Sequence, residues 1–194
     1  MVENRALRGR ETVLEALRIN CEDMRMLSAR TGDKLRAISE VARKGRRVKD
    51  LRRLMNHPDL WMQAYLNIQG NTGALTRGTD AVTMDGSSPE RAKHLVDLIR
   101  EGRYKPKPVR RQSIPTKVAG KMRPLGIPSA DDKLVQEVVR MILERIYEPL
   151  FKDSSHGFRP KRSCHTAFRS MQKGWTGTKW LIDIDIKGYF DPAS

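Results

Sequence analysis

The chain has 194 residues, with 38 Lys and Arg against 23 Asp and Glu, a formal net charge of +15 at pH 7. That balance selects a polyanionic partner, nucleic acid first, and the absence of a long apolar run excludes a membrane-spanning protein. Only 6% of residues are aromatic, too few for a basic helix that lies on a bilayer. The two cysteines, Cys21 and Cys164, have no CxxC partner, which excludes a disulfide scaffold and a zinc quartet. Residues 1–10 are basic without an apolar stretch, so they are not a secretory signal, and the expected location is the cytoplasm or an organelle.

In chain order, residues 3–49 place Leu7, Leu14, Leu17, Leu35, Ile38 and Val41 at helical spacing, which predicts helices joined by a polar turn near Thr31-Gly-Asp. The run from Arg43 to Arg53 carries seven basic residues and one acid, a solvated helix face or a phosphate contact. After Pro58 a short helix over residues 59–68 carries Leu60, Trp61, Tyr65 and Leu66. Residues 69–80 hold three glycines and little to bury, which predicts a surface loop with exposed backbone amides.

Ser87 or Ser88 caps the next helix, with Pro89 in its first turn, Leu95, Val96, Leu98 and Ile99 on its inner face, and Gly102 at its end. Positive charge then concentrates in Arg103, Lys105, Lys107, Arg110, Arg111, Lys117 and Lys121. Residues 109–114 and 122–127 read as two strands around Val118-Ala-Gly-Lys121, a β-hairpin with a basic tip. Ser129 caps a helix carrying Leu134, Val135, Val138, Val139, Ile142 and Ile146, with Asp132 at the acidic position of a capping box.

Residues 151–156 form a loop, and Gly157-Phe-Arg-Pro-Lys-Arg-Ser163 leads into a helix over residues 164–173. Residues 179–186 read as a strand. Strand geometry puts Ile182, Ile184 and Ile186 on one face and Asp183 and Asp185 on the other. Two carboxylates on an apolar strand need a cation to neutralise them.

The order of these motifs resembles a group II intron-encoded reverse transcriptase and maturase from about residue 59 onward. The series runs glycine-rich loop, basic hairpin ending in Arg123-Pro-Leu-Gly-Ile-Pro128, amphipathic helix, His156-Gly-Phe-Arg-Pro-Lys-Arg-Ser163, and Asp185-Ile-Lys-Gly-Tyr-Phe-Asp191. The resemblance implies an α+β fold: helix-rich polymerase fingers with a β-hairpin, and the beginning of a right-hand palm. Its divisions are a basic helical extension over residues 1–55, fingers over 56–174, and the first palm strand over 175–194.

By the same resemblance Asp185 is the first catalytic palm aspartate, ligating Mg²⁺ together with the backbone carbonyl of Ile186. Lys117 and Arg123 grip the incoming deoxynucleoside triphosphate, and Phe190 excludes a ribose 2′-hydroxyl. Arg110, Arg111, Arg159 and Arg162 lie along the template or intron RNA. The departures are Thr116 and Val118-Ala119 at the hairpin tip, and Thr72 and Ala81 in the loop.

The sequence holds no Tyr-Ala-Asp-Asp motif, and its Asp131-Asp132 pair precedes Asp185 at a helix start. The expectation is a truncated chain, inactive alone, in which two Mg²⁺ ions are held only by the complete enzyme. A palm strand without neighbours would associate with another copy. The alternative is a non-catalytic module that binds intron RNA and assists splicing.

Overall fold

The computed structural model describes residues 21–86, 89–116 and 120–186, and side chains from residue 31 onward. Two compact units divide it, Met1–Leu150 and Phe151–Ser194.

In the first unit α1 spans Cys21–Arg43, α2 Leu51–Leu54, α3 Pro58–Gln69, α4 Pro89–Arg100 and α5 Ala130–Tyr147. Single 3₁₀ turns occupy Thr72–Leu75, Met84–Gly86 and Glu148–Leu150. Between α4 and α5 lies the hairpin, β1 over Arg110–Pro115 and β2 over Met122–Ile127. Helices with one two-stranded antiparallel sheet make the described chain an α+β fold.

The core follows the apolar spacing of α5. Leu134, Val135, Val138 and Ile142 recur at i, i+1, i+4 and i+8, and all are buried. Helix α3 answers with Leu60, Trp61 and Ala64, α1 with Leu35, and α4 with Leu95 and Ile99. The Trp61 indole N–H, which cannot be left unpaired in a core, donates to the Met55 carbonyl at 2.6 Å. Val139 departs from expectation, because the α5 stripe is narrower than its apolar composition and this side chain faces outward.

The turn expected near Thr31-Gly32-Asp33 does not form, since α1 runs through it without a break. A glycine inside a helix costs about 1 kcal/mol. Here α1 packs on both α3 and α5, and burial of Leu35 and Thr31 outweighs that cost.

In the second unit residues 151–163 form turns that lead into α6, Cys164–Gly174. Ser163 caps it by accepting from the Thr166 N–H at 3.4 Å, while Thr166 Oγ1 accepts from the Ser163 N–H at 2.9 Å. The strand expected over residues 179–186 is absent: these residues carry no regular structure. Ile182 is 86% and Ile184 83% exposed. A strand exists only as part of a ladder, and no described segment offers this one a partner.

Candidate nucleic-acid interface

The hairpin ladder fixes which arginines share a face. Arg110 stands opposite Ile127, Arg111 opposite Gly126, Gln112 opposite Leu125 and Ile114 opposite Arg123. Directly opposed residues point to the same side and successive ones alternate, so Arg110, Gln112, Ile114, Arg123 and Leu125 form one face. Arg111 belongs to the other, with Ser113 and Pro124. Arg110 and Arg123 stand four ladder positions apart, about 13 Å along the strands. Both strands are largely open to solvent, and Ile127, 6% exposed, anchors them at the base.

The glycine-rich loop is tied to that base. Lys133 on α5 donates from Nζ to the carbonyls of Gly73 at 2.8 Å and Thr76 at 2.6 Å. Arg110 Nε donates to the Arg77 carbonyl at 3.0 Å, and Thr79 Oγ1 to the Pro108 carbonyl at 3.0 Å. Gly78 lies where a Cβ would come within 2.7 Å of Ser129 Cα and 2.8 Å of the Pro128 carbonyl. The surface loop with little to bury therefore needs correction: Ala74 and Gly78 are buried, and several of its carbonyls are occupied by side chains. Burial pushes the Lys133 ammonium below its ordinary range, helped by neighbouring Arg110 and opposed by Asp80.

Beneath the hairpin sits a polar network centred on Asp132, 3% exposed. Ser129 Oγ donates to Asp132 Oδ2 at 2.6 Å and accepts from the Asp132 N–H at 3.1 Å. The Lys107 N–H reaches the same Oδ2 at 3.1 Å, and the Tyr104 hydroxyl donates to Oδ1. Burial, then this hydrogen bond and the two aspartates, push the Tyr104 phenol well above its ordinary range.

Asp131 pairs with Arg91 and, at 3.3 Å, with Lys107 Nζ, which also meets Asp80 at 2.9 Å. Burial opposes ionisation of Asp131, but Arg91 and Lys107 together hold its carboxyl below the usual range. The hydrogen bond that Lys107 donates to Asp80 leads the upward shift of its ammonium, against some burial. Sequence spacing identified the Ser129 cap; the roles of Tyr104, Lys107, Arg91 and Lys133 carried no motif, since each acts across 24 or more residues.

In the second unit, Arg159 lies 5.2 Å from the Phe151 ring centroid and donates from Nη1 to the carbonyls of Lys152 and Ser155, both at 2.8 Å. Arg162 donates to the Asp153 carbonyl at 2.8 Å and to its Oδ1 at 2.9 Å. Both guanidinium groups thus brace their own loop. Phe158 and Lys161 take the left-handed conformation at φ 55° and 60°, costly for residues with a Cβ, and the Phe158 ring stands fully in solvent.

Lys117 and Phe190 lie outside the described residues. Asp185 and Ile186 are exposed and without regular structure. Among the described residues no three His, Cys, Asp or Glu side chains gather to hold a metal ion. No helix among the described residues is long and apolar enough to cross a membrane.

Residues 106–193 match the family model for reverse transcriptase (RNA-dependent DNA polymerase). The chain is 50% identical over 141 residues to the group II intron-encoded protein LtrA of Lactococcus lactis subsp. cremoris, covering 73% of this chain and 24% of that protein. It is 44% identical over 133 residues to a 91 kDa protein in the cob intron of Schizosaccharomyces pombe, covering 69% and 16%. To the mitochondrial nuclear intron maturase 1 of Arabidopsis thaliana it is 39% identical over 64 residues, covering 33% and 9%. The chain spans about a quarter of the length of the first of these relatives. With the α+β hairpin unit in place, these matches put the chain in the group II intron-encoded reverse transcriptase and maturase family, of whose members it spans a part.

Proposed function

We propose that this chain is the RNA-holding fingers of a group II intron-encoded reverse transcriptase, with the palm beginning after about residue 175. The observation that carries it is the exposed hairpin, which displays Arg110 and Arg123 on one face and Arg111 on the other above a base fixed by the glycine-rich loop. A rigid base under exposed guanidinium groups suits contact with a phosphate backbone, because little side-chain scaffold remains to be ordered on binding. Arg111 and Arg110 contact template or intron RNA, and Arg123 meets the triphosphate of an incoming deoxynucleotide.

Lys117 and Phe190 complete that nucleotide site by family position. Asp185, with the Ile186 carbonyl, supplies one part of a Mg²⁺ site whose remaining ligands come from elsewhere in a complete palm. Arg159 and Arg162 serve RNA through the loop they brace. The same surface serves splicing, in line with a relative named as an intron maturase.

The test is RNA binding by the 194-residue chain across a salt series. Binding falls steeply with salt, and each phosphate-contacting arginine removed lowers the slope of log affinity against log salt by about 0.7. Arg111→Ala is the informative variant, with Arg123→Ala, assigned to the triphosphate, as the control, and an unchanged slope in Arg111→Ala overturns the reading.

A further inference from the structure

A cavity of about 350 Å³ opens between α1, α3 and α5, away from the hairpin and from every residue assigned above. Leu35, Leu60 and Met141 give it apolar walls. Thr31 Oγ1 is buried at its wall with no hydrogen-bond partner among the described residues, an unmet polar atom of a kind that native interiors seldom keep.

The polar lining is mixed in sign. Asp59 and Glu144 supply carboxylates, while Arg145 and Gln63 supply donors and stand exposed at the mouth. Arg140, also in the wall, is neutralised by Glu137 at 2.7 Å and Glu144 at 3.0 Å. A phosphate in this space would meet two carboxylates against Arg145 and a guanidinium already committed to Glu137 and Glu144, a lining with no net positive charge to hold it. A flat heteroaromatic base with donors on one edge and acceptors on another fits better.

From this we propose that the cavity receives one unstacked guanine base of a bound RNA, an inference that rests on the RNA-holding reading above. Guanine alone among the four bases places two adjacent donors, N1–H and the N2 amine, where one carboxylate accepts both. Its O6 and N7 remain for a guanidinium or amide. Adenine, with a single exocyclic donor beside an acceptor, leaves a carboxylate facing a lone pair. Glu144 or Asp59 takes the donor edge, Arg145 or Gln63 the acceptor edge, and the apolar walls take the ring faces.

The experiment titrates the 194-residue chain with guanosine 5′-monophosphate and separately with adenosine 5′-monophosphate, read by saturation-transfer NMR. Guanosine monophosphate is expected to bind at least about tenfold tighter. Gln63→Trp, which fills the mouth from an exposed position, abolishes that binding. Glu144→Gln brings the two nucleotides to within about threefold.

Binding of a guanosine-free RNA is measured in parallel and stays unchanged in both variants. Equal binding of the two nucleotides by the parent chain, or guanosine selectivity surviving in both variants, overturns the proposal. Loss of the guanosine-free RNA binding in the parent chain would instead sink the RNA-holding reading, while the nucleotide titration still reports on the cavity.

Discussion

Gly78 lies against the backbone of Ser129 so closely that a methyl group in place of its hydrogen would overlap three main-chain atoms. Neither neighbour is a side chain that can swing aside. Ser129 joins the end of β2 to the start of α5, so loop, hairpin and helix meet at one contact.

Gly78→Ala is therefore expected to destabilise the chain by about 1–3 kcal/mol, through overpacking that backbone must absorb. Urea unfolding followed by circular dichroism measures it. A neighbouring Gly73→Ala, where a Cβ meets nothing within 4 Å, serves as the control and stays near the parent midpoint.

Lys133→Met removes both donors to the Gly73 and Thr76 carbonyls while keeping the length of the stem. Charged hydrogen bonds are worth about 1.5–3 kcal/mol each when buried, and partial exposure puts this pair at about 2 kcal/mol together. Hydrogen exchange should show the loss locally, as faster exchange over residues 71–80. Uniform acceleration across α5 as well would mean global destabilisation and count against a clamp.

Acid stability tests Asp131. Its folded carboxyl titrates below the ordinary value because Arg91 and Lys107 stabilise the anion, so its contribution is fully present above about pH 4. The contribution disappears as the pH falls through the lower folded value. Glu137 behaves likewise through its hydrogen bond with Arg140, opposed by burial and aided by Asn67. Urea midpoints between pH 2 and 6 should fall less steeply in Asp131→Asn than in the parent, and less still when Glu137→Gln is added.

Arg159→Ala separates bracing from RNA contact. It removes a ring contact worth about 0.5–1 kcal/mol and two hydrogen bonds to loop carbonyls. Exchange of amides over residues 151–163 should quicken. Arg159→Lys should recover little, because an ammonium lacks the planar fork that stacks and donates at once.

The exposed Trp180, Leu181, Ile182 and Ile184 predict association of copies. Sedimentation velocity of the chain should show concentration-dependent species, reduced in Ile182→Lys and Ile184→Lys. A single monomer boundary at every concentration in the parent would dismiss this.

Local signals in the sequence carried much of this architecture. Both strands and the Ser129 cap were legible because turn chemistry, alternation and capping act within a few residues. The continuous α1 was not, since Gly32 argues locally for a break and only the α3 and α5 surfaces reverse it. Nor was the loop's attachment, which depends on Lys133 reaching back 57 positions. Residues 179–186 show the opposite failure: their composition is that of a strand, yet composition cannot supply the neighbour that makes one. Of the site residues, the hairpin arginines stood out in the sequence, whereas the intramolecular roles of Arg159 and Arg162 were hidden in carbonyls that have no signature.

The two-sided hairpin also has a parity. Because Arg110 and Arg123 share a side only through an antiparallel register of period two, a one-residue insertion between Arg111 and Ile114 would exchange the sides of Arg110 and Arg111 relative to Arg123 while leaving every residue type present. Two-residue insertions would keep the sides and lengthen the arm. Length variation in this arm should therefore be accepted in even steps, and a single-codon insertion should harm the arm more than replacement of either arginine.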